Sequence, residues 1–280
     1  MTAVEGEYVT DGVERSEVRV SCPLPDGTVL ACQVVGPPTA PPLLLLAGQA
    51  NSHRWWDGVR AGLAENFRTI TFDYRGTGGT EADEAAAADW TTELFAADAA
   101  AVLAATNNPS AHVFGTSMGG RVAQWLAARH PERVRRLVLA CTSPGGAIAA
   151  ERGQEIRRSL ADPDPKVRRE ALLELMYTPD WLAGAPRRST LLGDPTMSAA
   201  ATRGHLRASN RHDASSVLGE IRAPTLVLHG SDDRMVPTRN AAVLGEYVPD
   251  AVVEILPGRH GFFDEFPAVA ERVTEFFLCV

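Results

Sequence analysis

The feature that most limits the fold is a rhythm. Short apolar runs that end in glycine-rich or polar loops alternate with segments of helical spacing. The runs are "PPLLLLAG", "FRTITFDY", "AHVFG", "VRRLVLACTS", "PTLVLHG" and "AVVEILPG". Between and after them lie "WWDGVRAGLAENF", "WTTELFAADAAAVLAAT", "GGRVAQWLAARHPERV", "PTRNAAVLGEY" and "FPAVAERVTEFFLCV". Uninterrupted apolar runs are what strands covered on both faces look like. Their alternation with helices implies an α/β fold, a mostly parallel central sheet flanked by helices. Ahead of it, "EVRVSCPLPDGTVLACQVVG" alternates around Pro-Asp-Gly and reads as a hairpin. The rhythm breaks once. Residues 144–221 hold no good strand and read as arginine-rich helices interrupted by "DPDP", "TPDW" and "GDP". The predicted organisation is a core of residues 1–143 and 222–280 with a helical cap inserted at 144–221.

Composition narrows the partners. The 280 residues are 45% hydrophobic and 22% charged, ordinary for a globular chain. A net charge of -8 argues against nucleic acid, which needs a basic face. The N-terminal "MTAVEGEYVTDGVERSE" is acidic and lacks the apolar stretch of a signal peptide. No apolar run approaches the length that spans a bilayer. A cytoplasmic protein with no membrane partner is expected. Cys22 and Cys32 could face each other across the hairpin. Without a secretion signal, however, they read with Cys141 and Cys279 as buried, reduced thiols. The cysteines and histidines show no metal-ligand spacing, and nothing in the sequence sets the oligomeric state.

The chemistry gathers at one serine. Gly115-Thr116-Ser117-Met118-Gly119 fits G-x-S-x-G between a strand and a helix. That context places Ser117 on a strained elbow with its hydroxyl projecting above the sheet. The first turn of the new helix favours negative charge beside it. A serine needs a base, and the base an acid. Of the later histidines, His130 ends the elbow helix and reads as surface, while His205 and His212 fall in the insertion. His229 sits in or at the end of a strand and reads as packed core. His260, in the loop "PGRHGFF" after the last strand, suits a base arriving at the sheet's carboxyl edge. The loop after the preceding strand, "SDDRMVP", offers Asp232 and Asp233. One of the two should hold the imidazole while its neighbour faces solvent or caps the next turn. "RGTGG" at 75–79 fails as a dinucleotide loop, since Glu81 stands where the third glycine would be. Asp73 and Arg75 read as loop braces.

With these residues the chain resembles the α/β-hydrolase fold family, most closely the small capped esterases and enol-lactone hydrolases with "SMGG" at the elbow. The resemblance runs from about residue 17 to 277. "FDYRGTGGT" is similar to the family's D-x-R-G-x-G-x-S loop, with Thr80 last, and "HGSDDRMVP" to G-x-x-D-x-x-V-P, which selects Asp233. The resemblance implies that Gln49 and Met118 give backbone N–H groups to an oxyanion hole. Two positions depart from the family. Ala47-Gly48 replaces the usual His-Gly before Gln49, and Arg259 replaces the glycine before His260; a long cation there covers the site or, by preference, points to solvent. The implied activity is that of a serine hydrolase using Ser117, His260 and Asp233, without cofactor or metal. Its substrate would be an ester or lactone of a medium-sized, mostly apolar small molecule. The same constellation serves C–C bond hydrolases, cofactor-free perhydrolases and non-catalytic ligand-binding relatives. In the cap, Leu172, Leu173, Leu175, Met176, Trp181 and Leu182 offer an apolar face. Met176 and Trp181, with Trp55 and Trp56 of the core, are the candidate substrate contacts.

Overall fold

A computed structural model describes residues 3–10, 13–184 and 191–279, with side chains from residue 17 onward. The strands are β1 (Ala3–Thr10), β2 (Val13–Pro23), β3 (Val29–Val35), β4 (Pro42–Leu46), β5 (Arg68–Phe72), β6 (Ala111–Thr116), β7 (Val134–Ala140), β8 (Thr225–Gly230) and β9 (Val252–Leu256). They form one sheet in the order β1-β2-β3-β5-β4-β6-β7-β8-β9. From β1 to β5 the neighbours are antiparallel; from β5 onward they are parallel. The α-helices are α1 (Arg60–Asn66), α2 (Thr92–Ala105), α3 (Met118–Arg129), α4 (Gln154–Leu160), α5 (Pro165–Met176), α6 (Pro179–Ala183), α7 (Ala199–Asn210), α8 (Arg239–Tyr247), α9 (Phe262–Glu265) and α10 (Pro267–Leu278).

The apolar runs become strands for the reason the rhythm suggests. Every residue of β6 and β8 is buried, as is Leu43–Leu46 of β4, because helices cover both faces of the parallel part. β9 closes the sheet at one edge and leaves Val252, Val253 and Ile255 exposed. β1 is a strand beyond those read from the sequence. The Asp-Gly pair of the sequence between β1 and β2 is a hairpin signal, and the backbone pairing of Ala3–Thr10 with Val13–Val20 follows it. Cys22, Cys32 and Cys141 are buried and free, as expected, whereas Cys279 is exposed. Cys22 pairs with Leu30 and Cys32 with Val20 in the register, so the two thiols are not opposite each other.

Between β7 and β8 the described residues form α4 to α7. Two of the breaks in the sequence, "DPDP" and "TPDW", are helix starts, whereas "GDP" lies in the loop before α7. Asp164 caps α5 with Pro165 in its first turn, and Thr178 caps α6 with Pro179 likewise. This pairing suits a position whose missing proline N–H costs nothing. Gly145 and Asp213 meet in a single bridge, so the segment returns close to where it leaves the sheet. Among the described residues no helix is long and apolar enough to cross a membrane.

Candidate active site

Ser117 stands between β6 and α3 with φ 53° and ψ -120°. A non-glycine residue in that region is strained and persists only where its surroundings over-determine it. Here the determinants are close approaches. A Cβ on Gly119 would lie 2.0 Å from the Leu46 carbonyl oxygen, and one on Gly115 2.4 Å from the Gly119 oxygen. Only glycine lets α3 fold back onto β6 and press against the end of β4. Ser117 N–H donates to the Ala140 carbonyl at 3.0 Å, and the Thr142 hydroxyl donates to the Ser117 carbonyl at 2.7 Å. The side chain stays half-buried, open on one side.

Two loops at the carboxyl edge bring the partners. His260 Nε2 lies 3.0 Å from Ser117 Oγ, and His260 Nδ1 lies 2.7 Å from Asp233 Oδ2. Asp233 Oδ1 accepts the N–H groups of Met235 at 2.9 Å and Val236 at 2.8 Å. Burial pushes this carboxyl up, but the charges and hydrogen bonds of His260 and His229 outweigh it and hold the group well below the usual carboxylate range. An ionised Asp233 accepts a hydrogen bond from Nδ1–H of His260, which keeps the proton on Nδ1 and leaves Nε2 as the acceptor facing Ser117. Asp232 is exposed and its carboxylate accepts the Ser231 hydroxyl at 3.2 Å. The structure thus brings Ser117, His260 and Asp233 together and leaves Asp232 outside.

His229 is fully buried, as expected, but it does more than pack. Its Nε2 lies 2.9 Å from the Val236 carbonyl and 3.2 Å from Asp233 Oδ2. The signal in the sequence was its place at a strand end, four residues before Asp233. His205 and His212 are buried in the inserted segment, and His212 Nδ1 meets Thr92 Oγ1 at 2.8 Å. His130 is half-buried at the end of α3.

Gln49 is half-buried and Met118 buried; two residues before Gln49, the Ala47 carbonyl oxygen lies where a Cβ on Gly119 would come within 2.7 Å. The Trp55 ring lies flat over Gly48, where a Cβ would approach it to 2.3 Å. Trp55 Nε1–H donates to Thr116 Oγ1 at 2.7 Å, and the ring stacks on Phe263. Trp56 is completely buried against Phe114 and Phe263. Both candidate contacts thus sit among aromatic side chains of the core. They are core side chains beneath the loop, because the strand ends and α9 present aromatic surface there.

The α5 end grips the base loop. His260 N–H donates to the Leu175 carbonyl at 3.2 Å and Gly261 N–H to the Met176 carbonyl at 2.7 Å. Arg259 does not point to solvent. Its guanidinium donates to the carbonyl oxygens of Glu174 at 2.5 Å and Tyr177 at 3.1 Å, since the end of a helix offers unpaired acceptors to a cation. Met176 is buried beside Gly261, and Trp181 stacks on Tyr177 at 3.7 Å. Leu175 and Leu182 line a cavity of about 630 Å³ bounded also by Ile156, Arg234 and Arg259; Ser117 is not on its wall. Asp73 and Arg75 are braces. Asp73 accepts His53 N–H, Gly79 N–H and the Gln33 amide, and Arg75 makes a two-point pair with Asp98 at 2.7 and 2.8 Å.

Comparison with known proteins agrees with this layout. RutD of Azorhizobium caulinodans, named as a candidate carbamate hydrolase, is 31% identical over 238 residues, covering 81% of this chain and 87% of that one. A hydrolase from Pseudomonas aeruginosa superposes with a TM-score of 0.79 at 27% identity, over 93% of this chain and 98% of that one. The esterase RhEst1 from a Rhodococcus species superposes with a TM-score of 0.76 at 27% identity, over 99% and 98%. The profile of the alpha/beta hydrolase fold matches residues 41–267. By sequence, sheet order and elbow, this chain belongs to the alpha/beta hydrolase fold family.

Proposed function

We propose that this protein is a serine hydrolase that cleaves a carboxylic ester or lactone of a medium-sized, mostly apolar small molecule. The observation that carries the reading is the unbroken chain of contacts from Ser117 Oγ through His260 to Asp233, at 3.0 and 2.7 Å. In the reaction His260 Nε2 takes the Ser117 proton as Oγ attacks the substrate carbonyl carbon. The N–H groups of Gln49 and Met118 hold the oxyanion that forms. The imidazolium, stabilised by Asp233, returns the proton to the leaving oxygen. Water, activated by the same nitrogen, then releases the acid from the acyl-serine and regenerates the enzyme.

Residues 144–221 act in this reading as a cap that selects the substrate. In its favour, the segment leaves and returns at the carboxyl edge, and α5 seats Met176 beside the base loop. The name of RutD makes carbamates the natural second substrate class, because an acyl carbon bearing nitrogen meets the same serine. The test is steady-state turnover of matched p-nitrophenyl acetate, butyrate and palmitate, an aliphatic lactone and an aryl carbamate. Fastest turnover of a short ester or the lactone supports the proposal. Preference for the carbamate moves the substrate class, preference for emulsified palmitate overturns the small-molecule reading, and no turnover of any of them overturns the hydrolase reading.

A further inference from the structure

The loop that bears Gln49 is tied to the inserted segment at several points. Ala50, the next residue, has φ 56°, a left-handed conformation that a side chain other than glycine adopts at a cost. Its N–H donates to His205 Nδ1 at 3.2 Å, and its carbonyl accepts the N–H of Asp194 at 2.7 Å. One residue on, Asn51 Oδ1 accepts Gly193 N–H at 3.0 Å while Asn51 Nδ2–H donates back to the Gln49 carbonyl at 2.8 Å. The other ring nitrogen of His205, Nε2, donates to the Arg75 carbonyl at 2.9 Å. These two bonds settle the tautomer: Nε2 carries the hydrogen and Nδ1 is free to accept.

The ring is completely buried among Tyr74, Trp90 and Phe95. Burial, partly offset by the Arg75 carbonyl, lowers its pKa to about 4, so it is neutral in the range where such an enzyme works. The α7 helix that carries it is packed onto the core by Gly204, where a Cβ would meet the Trp90 ring at 2.7 Å. A rigid helix therefore presents one acceptor to one loop N–H. Since Ala47-Gly48 stands before this loop, what fixes its strained turn comes from α7 and from Gly193–Asp194.

We propose that His205 is a positioning residue for the oxyanion hole. From α7 it holds Ala50 in its left-handed turn and thereby aims the Gln49 N–H at the developing oxyanion. The inserted segment then has a second task besides covering the site, since it completes the machinery that it covers. This rests on the proposed reaction at Ser117 and on Gln49 as an oxyanion donor. His205 touches neither substrate nor the reacting atoms, so its effect must appear as misplacement. A donor displaced by a fraction of an ångström to an ångström costs on the order of 10- to 100-fold in rate.

The experiment compares His205→Leu, which loses both hydrogen bonds but keeps apolar volume, with His205→Asn, which keeps an acceptor near the Nδ1 position. Kinetics on p-nitrophenyl butyrate are run alongside inhibition by an alkyl trifluoromethyl ketone, whose serine adduct bears an oxyanion. His205→Leu is expected to lower kcat about 10- to 100-fold with KM little changed, and to weaken the ketone by a similar factor. His205→Asn should restore part of both. Asn51→Ala, which cuts the strap at its other end, should act in the same direction and keeps the test open should His205→Leu not fold. Wild-type kcat and ketone affinity in folded His205→Leu and Asn51→Ala would overturn the proposal. Ser117→Ala is measured in parallel. If that variant retains activity, the underlying reaction is wrong; if it is dead while His205→Leu is unimpaired, only the role of His205 falls.

Discussion

His229 Nε2 lies 3.2 Å from Asp233 Oδ2, the same oxygen that faces His260 Nδ1 at 2.7 Å. One carboxylate oxygen thus lies against two buried imidazoles, one leading to Ser117 and one leading into the core. Asp233→Asn should reduce kcat by about 10⁴-fold, because the amide no longer selects the tautomer of His260. His229→Leu removes one hydrogen bond to a charged group and should cost about 10-fold. Asp232→Asn should match the wild type. Ester kinetics on the three variants check this order; an Asp232 effect larger than that of Asp233 would reverse the assignment.

Arg75 and Asp98 form a buried two-point ion pair at 2.7 and 2.8 Å. Asp98→Ala takes the two-point partner away but leaves the buried Arg75 guanidinium its contacts with the half-exposed Asp26 at 2.5 Å and with Thr28 at 3.1 Å, so it should destabilise the fold by about 1–3 kcal/mol. Denaturant unfolding of the wild type and Asp98→Ala reads this directly, and a loss below 1 kcal/mol (about the size of an exposed pair) would contradict it.

Arg259 bonds to the carbonyls of Glu174 and Tyr177, so it braces the loop of His260 against the end of α5. Arg259→Ala should lower stability by about 1 kcal/mol and lower kcat more than it raises KM. Arg259→Lys, with a cation but fewer donors, should recover part of both. Thermal unfolding together with kinetics tests this, and an Arg259→Ala variant equal to wild type in both would refute the brace.

The elbow was legible in the sequence because its chemistry is local. Two glycines, a serine and the strand–helix context all fall within a few residues. His260 was legible because the strand order fixes where its loop must arrive. The choice of Asp233 over Asp232 came from the family spacing alone, since both sit in one loop. What stayed hidden was contact between distant segments. The His205–Ala50 bond spans 155 positions and that of Arg259 to Glu174 spans 85. Nothing periodic marks either of them. Trp55 and Trp56 were ambiguous for a related reason: an aromatic pair after a strand can wall a pocket or fill a core, and only the placement of Phe114 and Phe263 decides.

His112 and His205 are buried with pKa values lowered from 6.5 to about 4, each by burial first. The unfolded chain therefore binds protons between about pH 6.5 and 4 that the folded chain refuses, and stability rises with pH across that window. Read downwards, the melting temperature should fall steadily from pH 6.5 and level off in this respect below 4. Each such histidine contributes on the order of 3 kcal/mol, at most, to the total change in stability across the window. His112→Met, which cannot titrate, should flatten part of the decline. A melting temperature constant over the window, or a slope unchanged in His112→Met, would contradict the burial argument.

The most direct measurement of the central claim is the site of covalent labelling by a fluorophosphonate probe, read by mass spectrometry of the digested protein. The phosphonate mimics the tetrahedral oxyanion and needs an activated nucleophile. The expected result is a single adduct on the peptide containing Ser117, absent in Ser117→Ala and strongly slowed in His260→Ala. An adduct on another residue, or Ser117→Ala hydrolysing esters at the wild-type rate, would contradict Ser117 as the nucleophile.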